Sequence, residues 1–298
     1  MAKQRQFRFG AIAERAESRD TWLNKARRIE DLGYNSLLVP DHIWIEIDPV
    51  VALMAAADHT ALRIGSHVFS NDFRNPVLLA RQAATLDMLS NGRFQFGLGC
   101  GYDQSDYDQA GIVFGEAGER VSRFEEALRL IKEFFTQDVV TFSGEYYQTK
   151  ELKPAPKSVQ KPHPPIYIGG SGKRVLSIAG READIIGVGN KGGPATVQQK
   201  LDWIRSAAGE RFEQIELSST VFAVAVTEKP EYAAQTIAQR MKMTTQEVFQ
   251  HLPVLVGTVE QIAETLLTRR ERYGISSIDI IEPHMEAFAP VIPLLVGK

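Results

Sequence analysis

Two polar residues at the end of an apolar run have the chemistry of a proton-handling site. Asp41 and His42 follow the run Ser36–Val39, and the indole of Trp44 comes two residues later. An imidazole titrates near neutral pH and can give or take a proton, and an aromatic ring can stack on a flat ligand. The alternative is a plain turn in which Asp41 caps the backbone and His42 is a bystander.

A second set of candidate ligand-binding residues follows the next apolar run, Leu62–Phe69. His67, Asn71 and Arg74 can face a ligand there, and Phe69 can stack on it. The alternative is a long loop whose side chains satisfy one another.

Alternate glycines end the following run, Phe94–Gly99. Gly99 and Gly101 let a flat ligand approach the backbone closely, although turn glycines can have the same spacing. Tyr102 comes next, and together with Trp44 it predicts an apolar-walled substrate pocket.

The strongest local signal is a glycine-rich turn that leads into a helix. Its members are Gly169, Gly170, Ser171, Gly172 and Lys173. Free backbone N–H groups and the positive end of a helix favour an anion, so this turn predicts a phosphate site. The alternative is an ordinary helix start with solvated basic residues. The later turn Gly187–Asn190 is expected at the rim of the same pocket.

These candidates lie at the ends of short apolar runs, each followed by a helix-like pattern. The eight runs are Phe7–Ala13, Ser36–Val39, Leu62–Phe69, Phe94–Gly99, Pro165–Gly169, Ala183–Gly189, Ile215–Val226 and Ile278–Ile281. Continuous apolar runs are typical of parallel strands buried on both faces. Eight strand–helix units predict an α/β fold, a closed (β/α)8 TIM barrel, with an open doubly wound sheet as the alternative. Active sites of such barrels lie at the C-terminal ends of the strands, where these candidates fall.

One stretch breaks the alternation. Residues from about 138 to 165 contain two β-like pieces around Ser143-Gly144 and then a proline-rich connection. Proline prevents continuous regular structure, so we expect a hairpin and an excursion inserted before the fifth strand. The whole chain, residues 1–298, is predicted to be one domain.

Composition excludes several classes of protein. The net charge of −3 and a pI near 6.1 argue against nucleic-acid binding. No apolar stretch is long enough to span a membrane, and no signal peptide is evident, so we expect a cytoplasmic protein. The histidines lack metal-site spacing, and a lone Cys100 is too few for a structural zinc site, so no metal is expected.

Three segments resemble the luciferase-like monooxygenase superfamily, above all the branch of oxidoreductases that use coenzyme F420, a deazaflavin. They are VPDHIW, LRIGSHVFSNDFRNPVLLARQAATLDMLSNGRFQFGLGCGY and PPIYIGGSGKRVLSIAGREADIIGV. The resemblance runs nearly end to end, and the motif from Arg74 to Arg93 is its most specific part.

The resemblance implies a flavin or deazaflavin bound at the strand C-termini, with its phosphate on the glycine-rich turn. It also implies a cis peptide at His67–Val68 behind the central ring, and it nominates His42 as proton donor or acceptor with Asp41 as its neighbour. The residues expected to bind the cofactor are His67, Val68, Phe69, Asn71, Gly99, Gly101, Gly169, Gly170, Ser171, Gly172 and Lys173.

The resemblance implies F420-dependent hydride transfer to or from a small organic substrate, by a homodimer. Tyr102 and Asp103 stand where sugar-phosphate dehydrogenases of the branch have a glutamate, so a different substrate is expected. One alternative is an FMN-dependent monooxygenase that uses reduced flavin and O2. The other is a non-catalytic flavin-binding paralogue, in which His42→Ala would cost no activity.

Overall fold

Parallel strands, each followed by helical structure, dominate the computed structural model, which describes residues 5–189 and 195–298. The strands are β1 (Arg8–Ile12), β2 (Ser36–Val39), β3 (Arg63–Ser66), β4 (Phe69–Ser70), β5 (Phe94–Gly99), β6 (Val140–Ser143), β7 (Gln148–Leu152), β8 (Ile166–Gly170), β9 (Ile185–Val188), β10 (Glu216–Val221), β11 (Ala223–Val226), β12 (Val254–Gly257) and β13 (Ile275–Ile281). The α-helices are α1 (Arg19–Asp31), α2 (Pro49–Ala57), α3 (Pro76–Leu89), α4 (Gln104–Ala110), α5 (Ala117–Thr136), α6 (Lys173–Glu182), α7 (Val197–Ala208), α8 (Pro230–Met241), α9 (Thr245–Gln250), α10 (Val259–Tyr273), α11 (Met285–Phe288) and α12 (Ile292–Leu295).

Eight of these strands form a closed ring. They are hydrogen-bonded in the order β3, β2, β1, β13, β10, β9, β8 and β5, and a pairing of β3 with β5 completes the ring. The short β4 pairs in parallel with β5 beyond the end of β3. The predicted (β/α)8 TIM barrel is therefore confirmed.

The chain divides into two compact units. The first comprises the described residues of 1–13, 27–37 and 169–298, and the second comprises 14–26 and 38–168. A small cluster in the first unit packs α8 and α9 on β12 through buried residues, which are Ala234, Ala238, Val248 and Val254. The single domain over 1–298 stays a prediction.

Capped helix starts shape the loops that follow β2 and β4. Asp48 caps α2 by accepting hydrogen bonds from Val50 N at 2.9 Å and Val51 N at 3.1 Å, and a proline opens the helix. Asn75 caps α3 in the same way, accepting from Val77 N at 2.9 Å. Because each cap fixes where its helix begins, the preceding loop residues are held at the strand ends.

The excursion before the fifth barrel strand begins with the predicted hairpin. Strands β6 and β7 pair antiparallel, and the carboxylate of Glu126 on α5 accepts three backbone N–H bonds from the turn between them. The donors are Glu145 at 2.9 Å, Tyr146 at 2.9 Å and Tyr147 at 2.7 Å. The turn is therefore attached to α5 as well as to its own strands.

Two features differ from the sequence prediction. The run Ile215–Val226 is two strands, because β10 ends at Val221 and β11 pairs with β12 in a separate two-stranded sheet. An apolar run without a glycine or proline gives no sign of such a break. Strand β12 and helix α4 are additional elements. No helix among the described residues is long and apolar enough to cross a membrane.

Candidate active site

His42 lies in the second unit with a buried carboxylate on one side and aromatic rings on the other. Its Nδ1 is 2.6 Å from Asp106 Oδ2, and Asp106 is only 3% exposed. Its Nε2 is 3.4 Å from the hydroxyl of Tyr102. The ring of Trp44 stacks on the imidazole with centroids 5.2 Å apart, and the ring of Tyr102 meets it edge-on at 5.6 Å. The loops after β2 and β5 thus bring together His42, Trp44 and Tyr102. Their roles in proton transfer and substrate binding stay predictions.

Asp41, the neighbour of His42 in the chain, has different partners. Its buried carboxylate accepts a hydrogen bond from Ser70 N at 2.9 Å and binds both terminal nitrogens of Arg74. The side chain of Arg74 is also 3.5 Å from Asp48. Asp41 therefore connects the loop after β2 to the loop after β4, and the carboxylate that contacts the imidazole is that of Asp106.

Asp106 is the residue of this cluster that sequence reasoning missed. It lies on α4, which Asp103 caps through Ser105 N at 3.1 Å and which ends at Gly111 in the left-handed region (φ 68°). An N-cap aspartate followed by a C-terminal glycine after a short polar segment is the signal that could have revealed this helix.

His42, Asp103 and Asp106 could together offer three ligand atoms to a metal, since these atoms lie within 4.8 Å of one another. Zinc ligands at about 2.0–2.2 Å in tetrahedral geometry stand roughly 3.3 Å apart. The 2.6 Å between His42 Nδ1 and Asp106 Oδ2 is a hydrogen-bond distance. The distance between His42 Nδ1 and Asp106 Oδ2 therefore fits a hydrogen bond with one proton between the two atoms.

The break between β3 and β4 is the cis peptide bond at His67–Val68 that the family resemblance implied. The His67 ring contacts that of Tyr167 with centroids 5.0 Å apart. Phe69 is fully buried, and its ring packs 6.1 Å from that of Phe96. Phe69 therefore supports the strand end from the core, where the sequence suggested a ring open to stacking.

Asn71 is almost completely buried beside this break. Its Nδ2 donates to Asp72 Oδ1 at 3.2 Å and to the Tyr147 hydroxyl at 3.3 Å. Its Oδ1 is buried without a hydrogen-bond partner among the described residues. A buried carbonyl oxygen with no donor is costly, so the site fits a ligand that presents an N–H group here.

The glycines at the end of β5 have structural reasons of their own. A Cβ on Gly99 would lie 2.8 Å from Val68 Cγ2. Gly101 has φ +69°, and a Cβ there would lie 1.9 Å from the Tyr107 hydroxyl. Burial raises the pKa of the Cys100 thiol between them, which disfavours the thiolate and a nucleophilic role. Contact of Gly99 and Gly101 with a cofactor stays a prediction.

The glycine-rich turn lies in the first unit, where β8 passes into α6. Gly172 is the N-cap of α6. Among the described residues other than its chain neighbours, no atom lies within 4 Å of where its Cβ would be. Lys173 is exposed in the first turn. Backbone N–H groups at a helix N-terminus are the donors that a phosphate needs. Of the predicted rim residues, Asn190 lies outside the described residues.

The chain resembles proteins of both cofactor classes. A family model described as luciferase-like monooxygenase matches residues 6–251. The chain is 34% identical over 185 residues to an F420-dependent glucose-6-phosphate dehydrogenase of Amycolatopsis mediterranei, covering 59% of this chain and 55% of that protein. It is 30% identical over 151 residues to an FMNH2-dependent dimethylsulfone monooxygenase of Pseudomonas putida, covering 51% and 41%. These matches thus span about half the length of each curated relative.

Among solved structures, the coenzyme F420 dependent tetrahydromethanopterin reductase from Methanopyrus kandleri superposes with a TM-score of 0.78 at 18% identity. The superposition covers 98% of this chain and 99% of that one. At this identity the match establishes the barrel fold.

Proposed function

Because the chain belongs to the luciferase-like monooxygenase family, we propose that it is a cofactor-dependent oxidoreductase, with coenzyme F420 as hydride carrier and a small organic molecule as substrate. The observation that carries this proposal is His42, which a buried carboxylate holds on one side and which opens to exposed aromatic rings on the other. A bound deazaflavin supplies two-electron hydride transfer, and His42 gives or takes the accompanying proton.

Two features of this chain fit a flavin or deazaflavin. The Oδ1 of Asn71, which has no partner in the part of the chain that the structure describes, suits an N–H donor of a ring system, and the start of α6 suits a phosphate. We assign the phosphate to the N–H groups of the turn and to Lys173, and we retain His67, Val68, Gly99 and Gly101 as cofactor contacts. Asp41 acts through Arg74, by fixing the loop that carries His42.

The substrate pocket is proposed to be walled by Trp44 and Tyr102. Their side chains are large, apolar in body and strongly exposed, at 50% and 69%. Exposed aromatic rings beside a proton-transfer group favour an uncharged, partly apolar substrate. Tyr102 stands where the sugar-phosphate dehydrogenases carry an acid, so glucose 6-phosphate is not the substrate we propose.

Cofactor titration tests this function. We expect F420 to quench the protein fluorescence on binding, with FMN binding more weakly. Preferential FMN binding, with enzyme-dependent O2 consumption from reduced FMN, would instead establish the monooxygenase alternative. Binding of neither cofactor would overturn the proposal.

The phosphate assignment has its own test. Lys173→Ala is expected to weaken binding of F420 and FMN about tenfold, or about 1.4 kcal/mol, because one charged donor is lost. Riboflavin, which lacks the phosphate, should bind both proteins equally. Lys150→Ala, which removes an exposed lysine from β7, is the matched control. An equal loss of riboflavin affinity in Lys173→Ala would contradict the assignment.

We further propose that the protein is cytoplasmic and forms a homodimer. The single cysteine suits a reducing compartment. For the dimer, the supporting feature is an exposed groove of about 690 Å³ between α2 and α3, here named the α2–α3 groove. Its lining residues are Val50, Val51, Met54, Ala55, Leu78, Arg81, Gln82, Thr85, Leu86 and Leu89.

A further inference from the structure

Both oxygens of Asp106 are engaged by the loop that carries His42. Oδ2 is 2.6 Å from His42 Nδ1, and Oδ1 accepts the backbone N–H of Ile43 at 2.9 Å. An ionised carboxylate can only accept hydrogen bonds, so the proton of this short contact belongs to Nδ1. The second bond holds the backbone next to the imidazole, so the ring and its loop are fixed from one buried group.

The opposite nitrogen of the ring faces the open side of the cluster. Nε2 is 3.4 Å from the Tyr102 hydroxyl, and Tyr102 is 69% exposed. When Nδ1 carries the proton of a neutral imidazole, Nε2 carries the lone pair. The reactive lone pair is therefore on the side of the proposed substrate pocket.

We propose that Asp106 is the positioning residue of the site: it fixes His42 as the Nδ1–H tautomer and makes Nε2 the nitrogen that exchanges a proton with the substrate. The inference rests on the proposed function, in which His42 moves a proton. When a substrate O–H bond breaks, its proton forms the new Nε2–H bond and the electron pair stays on the substrate oxygen. The resulting imidazolium is then paired with the charge of Asp106.

Nitrogen-15 NMR of histidine-labelled protein reads the tautomer directly. We expect His42, identified by its loss in His42→Gln, to show the Nδ1–H pattern. In Asp106→Asn the amide oxygen can accept from Ile43 while its NH2 donates to Nδ1, so the pattern should change to Nε2–H. His59, whose Nδ1 is 2.9 Å from Ala55 O, should keep its Nδ1–H pattern and serves as an internal reference.

Asp103→Asn is the matched control, because it removes a nearby negative charge from the same helix while an asparagine still caps α4. It should leave the His42 tautomer unchanged. An Nε2–H pattern in the wild-type protein would overturn the proposal without any variant. A change in the His42 NMR pattern on addition of EDTA would also overturn the proposal, since it would show that Nδ1 binds a metal ion.

A chemical probe gives a second readout. Carbethoxylation of His42 by diethyl pyrocarbonate, followed by mass spectrometry, is expected to be about tenfold slower in Asp106→Asn than in Asp103→Asn, because Nε2 loses its lone pair. Equal rates would contradict the proposal. F420 and FMN titrations of the same proteins distinguish failure of this proposal from failure of the proposed function. If Asp106→Asn binds cofactor as wild type does and His42 keeps its tautomer in that variant, only the role of Asp106 is rejected. If wild type binds neither cofactor, the proposed function is rejected.

Discussion

At the residue scale, the carboxylate of Asp41 connects the loop after β2 to the loop after β4. It pairs with Arg74, whose side chain is only 17% exposed, and accepts from Ser70 N. A buried charge that loses its partner is strongly destabilising, because the lost attraction no longer offsets its desolvation. Stability should therefore depend on this pair more than on neighbouring surface charges.

We predict that Asp41→Asn lowers the free energy of unfolding by about 2–4 kcal/mol, since Arg74 keeps its charge and loses its bidentate acceptor. The amide oxygen introduced by this substitution can still accept from Ser70 N, so the effect reports the ion pair. Urea unfolding measures it. Asp48→Asn, next to the same Arg74 but half exposed, should change stability by less than about 1 kcal/mol. Equal losses in the two variants would show that Asp41 has no special role.

The position of His42 at a strand end can be predicted from the sequence, whereas its contact with Asp106 cannot. A histidine shortly after an apolar run lies near a strand C-terminus in this barrel, and the local pattern is enough to predict that position. Asp106 is 64 residues away, and only the folded backbone brings it to the imidazole. The adjacent Asp41 is the natural candidate from sequence, but its carboxylate is directed to the loop after β4.

At the element scale, the hairpin β6–β7 depends on one carboxylate of α5. Burial raises the pKa of Glu126, but hydrogen bonds from the N–H groups of Tyr147, Tyr146 and Glu145 outweigh it, so the pKa lies below the ordinary value of 4.5. A lowered carboxyl pKa means that this contact stabilises the protein fully above pH 4.5 and less as the pH falls through the folded-state pKa.

We predict that Glu126→Gln destabilises the protein by about 1–3 kcal/mol at pH 7, since its amide presents fewer acceptors to the turn. The difference from wild type should shrink below pH 4.5, where Glu126 of the unfolded wild-type chain takes up a proton that the native carboxylate resists. Urea unfolding at about pH 7 and about pH 3.5 tests this. Glu116→Gln, exposed at the start of the same helix, should stay within about 0.5 kcal/mol. A difference that grows in acid would contradict the assignment.

The hairpin and the helix α4 show what local sequence can indicate. Ser143-Gly144 between two β-like pieces marks a turn, and the structure has that hairpin. Helix α4 is a single seven-residue segment with mostly polar side chains, so it lacks the apolar periodicity that marks longer helices. Its caps are its only local signal, and the candidate site depends on it.

At the scale of the whole molecule, the α2–α3 groove is the feature that favours a second copy of the chain. Val51 is 70% exposed, Leu78 57% and Leu89 53%. Arg81 is the one charged residue in its lining, and Gln82 Oε1 is buried without a partner among the described residues. In the proposed homodimer, a two-fold contact would present the guanidinium donors of Arg81 and the Gln82 Oε1 acceptor from each copy, with no acidic side chain in the groove.

Light scattering should therefore give twice the chain mass of 33.2 kDa. Leu78→Glu is expected to yield the monomer, because it places a charge in the centre of the apolar contact. Val139→Glu introduces the same charge at a similarly exposed position on the edge of the hairpin, outside the groove, and should leave the mass unchanged. A wild-type mass of one chain, or dissociation by both variants, would exclude this interface.

The barrel could be predicted because eight strand–helix units repeat along the chain, whereas the groove could not. The residues of the α2–α3 groove come from two helices whose apolar side chains also pack in the core. Only the structure distinguishes the exposed apolar side chains from the buried ones. Leu78 and Leu79 are adjacent, yet one is 57% exposed and the other is fully buried.

The attachment of the hairpin turn to α5 also limits how the excursion can evolve or be exchanged. A Cβ on Gly144 would lie 2.0 Å from Glu126 Oε1, so the glycine and the glutamate form one steric and electrostatic unit. Tyr147 extends that unit to Asn71 through its hydroxyl. A hairpin grafted from a relative should therefore dock only if the recipient carries the matching residue on α5, and positions 126 and 144 should covary.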